Sequence, residues 1–194
     1  MPRKYELKQR ARSQAETRAR IVEATVALHN ELGPARTTIS AIAERAGVQR
    51  LTVYRHFPDE RALYQACSGH WTVEHPRPDP APWAAIEDPA ERLQLALGEI
   101  YAYFRATENM TANVRRDLPE LPVLQEVAAP MVAYWEAAKV ALERGWEARG
   151  ERRERLHAVI GHAIDFDTWR SLARRGGLDD AEVAELMARL ARAV

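Results

Sequence analysis

Residues 37–63, TTISAIAERAGVQRLTVYRHFPDERAL, constrain the fold more than any other stretch of this chain. Three short helical signals follow one another here with no room for a strand between them. Thr38 has the side chain of an N-cap, and Ile42, Ala43 and Ala46 then fall on one helical face. Gly47 comes next, where a residue in the left-handed conformation ends a helix. A second short helix is expected over residues 49–57, held inward by Val53 and Phe57 at i, i+4 spacing. Pro58 stops it, and Asp59 caps a third helix whose inward residues begin with Ala62 and Leu63. Helix, glycine turn, short helix is the helix-turn-helix pattern, whose second helix enters the DNA major groove.

The second helix carries suitable chemistry. With Val53 and Phe57 inward, Leu51, Thr52, Tyr54 and Arg55 point outward, and Arg50 sits at the end that meets base edges. Arginine grips guanine O6 and N7 through two parallel bonds, and Thr52 serves a base or a phosphate. Tyr54 and His56 have donors long enough to reach phosphate oxygens. Thr38, Ser40 and Arg61 are counted with them as candidate DNA contacts. The competing account is an ordinary solvated helix in a non-binding helical protein.

From IVEATVALHNELG through IAERAGVQRLTVYRHFPDERAL, ending near residue 70, the chain resembles the DNA-binding signature of the TetR family of bacterial transcriptional regulators. Ile42-Ala43, Ala46-Gly47-Val48, Thr52, Tyr54, His56-Phe57 and Ala62-Leu63 fall at the family's spacings. Three positions depart from the pattern. Gln49 stands where Ser or Thr usually caps the recognition helix, and Leu51 where a small residue or Pro is usual. Glu60 stands where a Lys often meets phosphate, so that contact is either lost or passed to Arg61.

The resemblance implies an all-α protein: a three-helix DNA-binding head followed by a helical ligand-binding and dimerisation bundle. It also implies a homodimer on an inverted-repeat operator in double-stranded DNA, acting as a repressor released by a small-molecule inducer. The last two long helices would pair across the dimer, earlier ones would enclose the inducer, and no cofactor or catalytic residue is expected.

Charge placement agrees with this division. The formal net charge is zero, yet residues 1–64 carry twelve Lys/Arg against seven Asp/Glu, and the remainder sixteen against twenty-one. A basic head on an acidic body suits a polyanionic partner of the head alone. The single Cys67 rules out an intramolecular disulfide, suits a reducing cytosol, and reads as a buried thiol. No apolar run approaches membrane-spanning length and no signal peptide is apparent, so the cytoplasm is the expected location.

Residues 1–12, with Arg3, Lys4, Lys8, Arg10 and Arg12, are a basic arm, either a frayed solvated terminus or a segment that lies along the minor groove. Ser13 and Glu16 form a capping box expected to open a helix through Leu32, with Ile21, Thr25, Leu28 and Leu32 inward and Gly33-Pro34 ending it. His29 reads as a half-buried structural residue. The third motif helix is expected to reach about residue 73, and Pro76, Pro78, Pro80 and Pro82 then favour an extended, stiff connector. The head is thus placed at residues 1–70, the connector at 71–83 and the body at 84–194.

In the body, helices are expected from Pro89 through Phe104, over residues 108–117, 123–148 and 151–175, and over 179–192 with Asp179 or Asp180 as the cap. Pro130 should kink or loosen the long central one. Val183, Leu186, Met187 and Leu190 line up on the last. Tyr101, Phe104, Met110, Asn113, Trp135, His162, Phe166 and Trp169 are candidate inducer contacts or, equally, plain core. His162, Asp165 and Trp169 share a face, as a ligand's polar partners or as a satisfied buried network.

Two other classes remain. A helical metal-assisted hydrolase would use His162, Asp165 and Asp167, but the two carboxylates project to different sides and no second helix offers a ligand at the right spacing. A helical adaptor without a ligand would not need the charge asymmetry.

Overall fold

The computed structural model describes the backbone of residues 2–194 and the side chains of residues 8–194. Regular structure among the described residues is helical, with no strand. The chain divides into two compact units: Met1–Glu74 with Asn109–Ala128, and His75–Glu108 with Ala129–Val194.

The first unit is built on α1 (Pro2–Glu31), which runs through the Ser13–Glu16 box instead of starting there. Arg12 Nε donates to Glu16 Oε1 at 2.9 Å, so Glu16 pairs along a continuing helix, and residues 2–12 of the basic arm are helical. Ile21, Thr25 and Leu28 are buried as the spacing predicts, and the Thr25 hydroxyl donates to the Ile21 carbonyl at 2.7 Å. Leu32 is 43% exposed, because the helix ends one residue earlier and Leu32 leaves the inward stripe. Helices α2 (Ile39–Ala46), α3 (Arg50–His56) and α4 (Glu60–Glu74) follow. Ile21, Leu28, Ile42, Val53, Phe57 and Leu63 form one core with α1. Each such side chain taken fully out of water stabilises by about 1.5–3 kcal/mol.

Helix α6 (Glu108–Asp117) supplies this unit with Met110, which joins the same core. It also meets the polar groups left open where α1 ends. Asn113 Nδ2 donates to the His29 and Asn30 carbonyls at 3.1 and 2.9 Å, and Arg116 Nη2 to the Leu32 carbonyl at 2.8 Å. The Asp117 carboxylate accepts from the Ala35 amide at 3.0 Å. Gly33, at φ 97°, passes so close to Arg116 and Asp117 that a Cβ would collide with both.

The second unit centres on α5 (Pro89–Ala106), capped by Asp88, whose carboxylate accepts from the Ala90 and Glu91 amides at 2.8 and 2.7 Å. The segment before it is pinned. Trp83, in the 3-10 turn Pro82–Ala85, is fully buried and donates from Nε1 to Glu99 Oε2 at 2.8 Å.

Pro130 lies inside α7 (Pro122–Leu142) without ending it. The helix stops six residues short of the 148 expected from the apolar spacing. Gly145 turns the chain at φ 80°, Trp146 Nε1 donates back to the Leu142 carbonyl at 3.0 Å, and the buried Arg92 guanidinium holds the Arg144 carbonyl. The expected long helix over 151–175 is likewise broken, into α8 (Glu151–Ala163), α9 (Phe166–Arg170) and one π-helical turn, Ser171–Arg175. Asp165 starts a new helix by accepting from the Asp167 and Thr168 amides at 2.8 and 3.3 Å, and the Tyr101 hydroxyl takes the Ala163 carbonyl at 2.7 Å.

Asp179, not Asp180, caps α10 (Asp180–Ala193), in a reciprocal box with Glu182. Val183 and Met187 are buried, whereas Leu186 and Leu190 are 42% and 41% exposed. No helix of the described residues is long and apolar enough to cross a membrane.

Candidate nucleic-acid interface

The motif is assembled by local bonds that its sequence specifies. Thr38 Oγ1 accepts from the Ala41 amide at 3.1 Å and starts α2; Gly47, at φ 65° and ψ 41°, ends it. The turn closes through the Val48 amide on the Ala43 carbonyl at 2.9 Å. Gln49 caps α3 through its backbone alone: its carbonyl accepts from the Thr52 amide at 2.8 Å and its side chain makes no capping bond. Asp59 Oδ1 accepts from the Ala62 amide at 2.7 Å and starts α4 as expected.

Two anchors fix which face of α3 is presented. Val53 and Phe57 are buried, and the Arg18 guanidinium of α1 lies 4.5 Å over the Phe57 ring. Arg45 of α2 grips Glu31 of α1 through two bonds of 2.6 and 2.7 Å, tying the first motif helix to its brace. The opposite face of α3 is open: Leu51 is 67% and Tyr54 46% exposed, Arg50 and Arg55 are exposed, and Thr52 and His56 are half-buried. Ser40 and Thr38 are exposed at the start of α2, Thr38 with its hydroxyl oxygen engaged as the cap.

Arg61 is exposed at the start of α4 and paired with Glu126 of α7. A cleft of about 560 Å³ opens beside it, lined by Tyr54, Phe57, Leu63 and Val123 among others. Sequence spacing singled out Arg61 but not its partner, since nothing local brings residue 126 to residue 61.

Deeper in the unit, Cys67 is buried and its thiol is pushed up to about 12 by burial, so it stays neutral. His29 is more buried than the half-burial expected, with Nε2 lacking a hydrogen-bond partner and its ring edge-on to Tyr64 at 5.2 Å. Burial lowers its pKa to about 4, against an opposing pull from Asp117.

The eight candidate ligand contacts do not form one group. Tyr101, Phe104, Phe166 and Trp169 are buried together in the second unit, with Phe104 5.4 Å from Phe166 and 5.9 Å from Trp169. Their polar atoms are engaged, Tyr101 on Ala163 and Trp169 Nε1 on Asp180 Oδ1 at 2.8 Å. Trp135 is half-buried at the edge of this cluster, 5.4 Å from Phe104. His162 is exposed rather than inward, its Nδ1 3.0 Å from Thr168 Oγ1. Met110 and Asn113 lie in the first unit, as core and as a partner of α1. Tyr103 and Tyr134, half-buried beside Trp135, were not singled out by sequence. No group of three or more His, Cys, Asp or Glu among the described residues is placed to hold a metal ion.

Residues 21–67 match the family model of bacterial regulatory proteins, tetR family. The HTH-type transcriptional regulator TtgR of Pseudomonas putida is 47% identical over 62 residues, which cover 31% of this chain and only 30% of that relative's length. The likeness of fold reaches further. A TetR-like transcriptional regulator from Rhodococcus sp. RHA1 superposes with a TM-score of 0.62 at 19% identity, over 90% of this chain and 93% of that one. NalD of Pseudomonas aeruginosa, the secondary repressor of the MexAB-OprM multidrug efflux pump, gives 0.53 at 22% identity, over 92% of this chain and 95% of NalD.

Proposed function

We propose that this chain, whose residues 21–67 match the model of the tetR family of bacterial regulatory proteins, is a sequence-specific transcriptional regulator that binds double-stranded DNA as a homodimer. The observation that carries this reading is the face of α3, where Arg50, Leu51, Tyr54 and Arg55 stand outward on a helix locked by Val53 and Phe57. Arg50 and Leu51 read bases, while Thr52, Tyr54, Arg55, His56, Ser40, Thr38 and Arg61 hold phosphates. The residues of 84–194 form the effector and dimerisation portion, and the protein acts in the cytoplasm as a repressor released by a small molecule.

A two-fold dimer places two recognition helices about one helical turn, roughly 34–36 Å, or more apart, which matches an inverted repeat. Leu186 and Leu190, exposed on α10, support a dimer contact through the last helices. Of the candidate ligand contacts, Trp135 has the accessible edge an effector needs.

Sedimentation of the full chain, alone and with a DNA duplex recovered from a random pool, tests the assembly. A dimer at micromolar concentration and two protomers per duplex are expected. A monomer binding through one head contradicts the reading. The effector role stands or falls separately, on whether Trp135→Ala blunts a ligand's release of DNA while leaving ligand-free binding intact.

A further inference from the structure

In the second unit the chain seats one of its own cations in an aromatic wall. The Arg77 guanidinium carbon lies 5.1 Å over the Tyr134 ring. Tyr134 meets Trp135 edge-on at 4.9 Å, and Trp135 lies 6.3 Å from Tyr103, so three half-buried rings are contiguous. Burial raises the Tyr103 pKa, with the charge of Arg77 and bonds from Thr107 and Arg77 opposing it. Burial likewise pushes Tyr134 up to about 12, against Arg77, with Asp79 and Glu99 near enough to add to the rise. Both phenols are therefore neutral, and Asp79 and Glu99 set negative charge near Tyr134.

The backbone carrying Arg77 is fixed on both sides. Pro76 and Pro78 flank it, the Pro78 carbonyl accepts from the Tyr134 hydroxyl at 2.7 Å, and Trp83 is buried a few residues on. Clearing the wall therefore asks for a rotation of the Arg77 side chain and the loss of its bond to Tyr103, with no movement of the backbone. Ring faces with carboxylates nearby attract weakly hydrated cations, and a guanidinium is one such cation.

We propose that Tyr103, Tyr134 and Trp135 form a binding site for an organic cation with an apolar body, such as an aryl quaternary ammonium, and that Arg77 occupies it until the ligand displaces it. The inference rests on the reading of this portion as the effector unit and gives the chemical class of the effector.

Calorimetric titration of the full chain with benzyltrimethylammonium, and with its uncharged isostere neopentylbenzene, tests it. The cation should bind Arg77→Gln about tenfold more tightly than the wild type, since the internal competitor is gone. The isostere should bind far more weakly to both. Tyr134→Phe, which keeps the ring, should retain the site in the Arg77→Gln background; Tyr134→Leu should lose it. Equal cation affinity in wild type and Arg77→Gln, equal binding of the isostere, or no cation binding to either overturns the proposal. Cation binding that leaves a DNA complex intact keeps the site and removes its effector role. A neutral ligand that releases DNA without competing with the cation keeps the effector reading and overturns the ligand class.

Discussion

Arg61, near the start of α4, is ion-paired to Glu126 in the early turns of α7. The pair is exposed, so its own contribution to stability is small, about 0–1 kcal/mol. Its consequence is for DNA, because Arg61 cannot neutralise a phosphate fully while a carboxylate holds it. Glu126→Gln should therefore tighten DNA binding a few-fold and steepen the dependence of log affinity on log salt by about 0.9. Fluorescence anisotropy across a salt series reads both. Slopes that coincide for Glu126→Gln and wild type would remove Arg61 from the phosphate contacts.

Base reading is assigned to the start of α3. Arg50→Ala should cost about 1–3 kcal/mol in specific affinity and relax preference at one base position. If Leu51, too bulky for a close backbone approach, packs on a thymine methyl as proposed, Leu51→Ala should relax preference at a different position. Preference profiles from pooled DNA variants check both, and profiles unchanged in both variants would show that α3 is not the reader.

The helix-turn-helix motif was legible because its helix ends are set locally. Thr38, Gly47 and Asp59 perform at short range the capping and turning roles their spacing suggests. The second unit was legible as helices but not in where the two long ones stop, because distant partners hold those ends. Arg92 takes the Arg144 carbonyl fifty-two residues away, and Tyr101 takes that of Ala163 sixty-two residues away. Asn113 read as a ligand contact for the same reason, since its bonds to the end of α1 span more than eighty residues. Arg77 lay hidden in a proline run whose composition signals a connector and says nothing of what the side chain stacks upon.

Acid should destabilise the first unit through His29. Its folded pKa of about 4 lies below the ordinary value of 6.5, so the unfolded chain binds the proton first. Stability then falls as pH drops through the window from 6.5 to 4, and the loss is complete below it. The full difference is about 3 kcal/mol. His29→Phe, which removes a buried nitrogen without a partner, should abolish this component and leave stability at neutral pH equal or higher. Urea unfolding at pH 7 and pH 4.5 measures it; parallel losses in the two proteins would exclude His29 as the origin.

Gly33 should not tolerate a side chain. At φ 97° and ψ 157° the backbone is in a region nearly confined to glycine, costing about 1–3 kcal/mol for alanine. A Cβ there also displaces Arg116 and Asp117 from the end of α1. Gly33→Ala should lower the urea midpoint, and Asp117→Asn should do so by weakening the bonds to Arg116 and the Ala35 amide. An unchanged midpoint in Gly33→Ala would mean that α6 is not seated on α1 as described.

Selection of bound duplexes from a random DNA pool by the purified full chain tests the central claim most directly. A regulator that reads bases through α3 of two protomers should enrich an inverted repeat, with half-site centres about ten base pairs or more apart. Arg50→Ala should then blur one position in each half-site. Recovery of duplexes without a shared motif at moderate salt, where purely electrostatic binding is weakened, would contradict it.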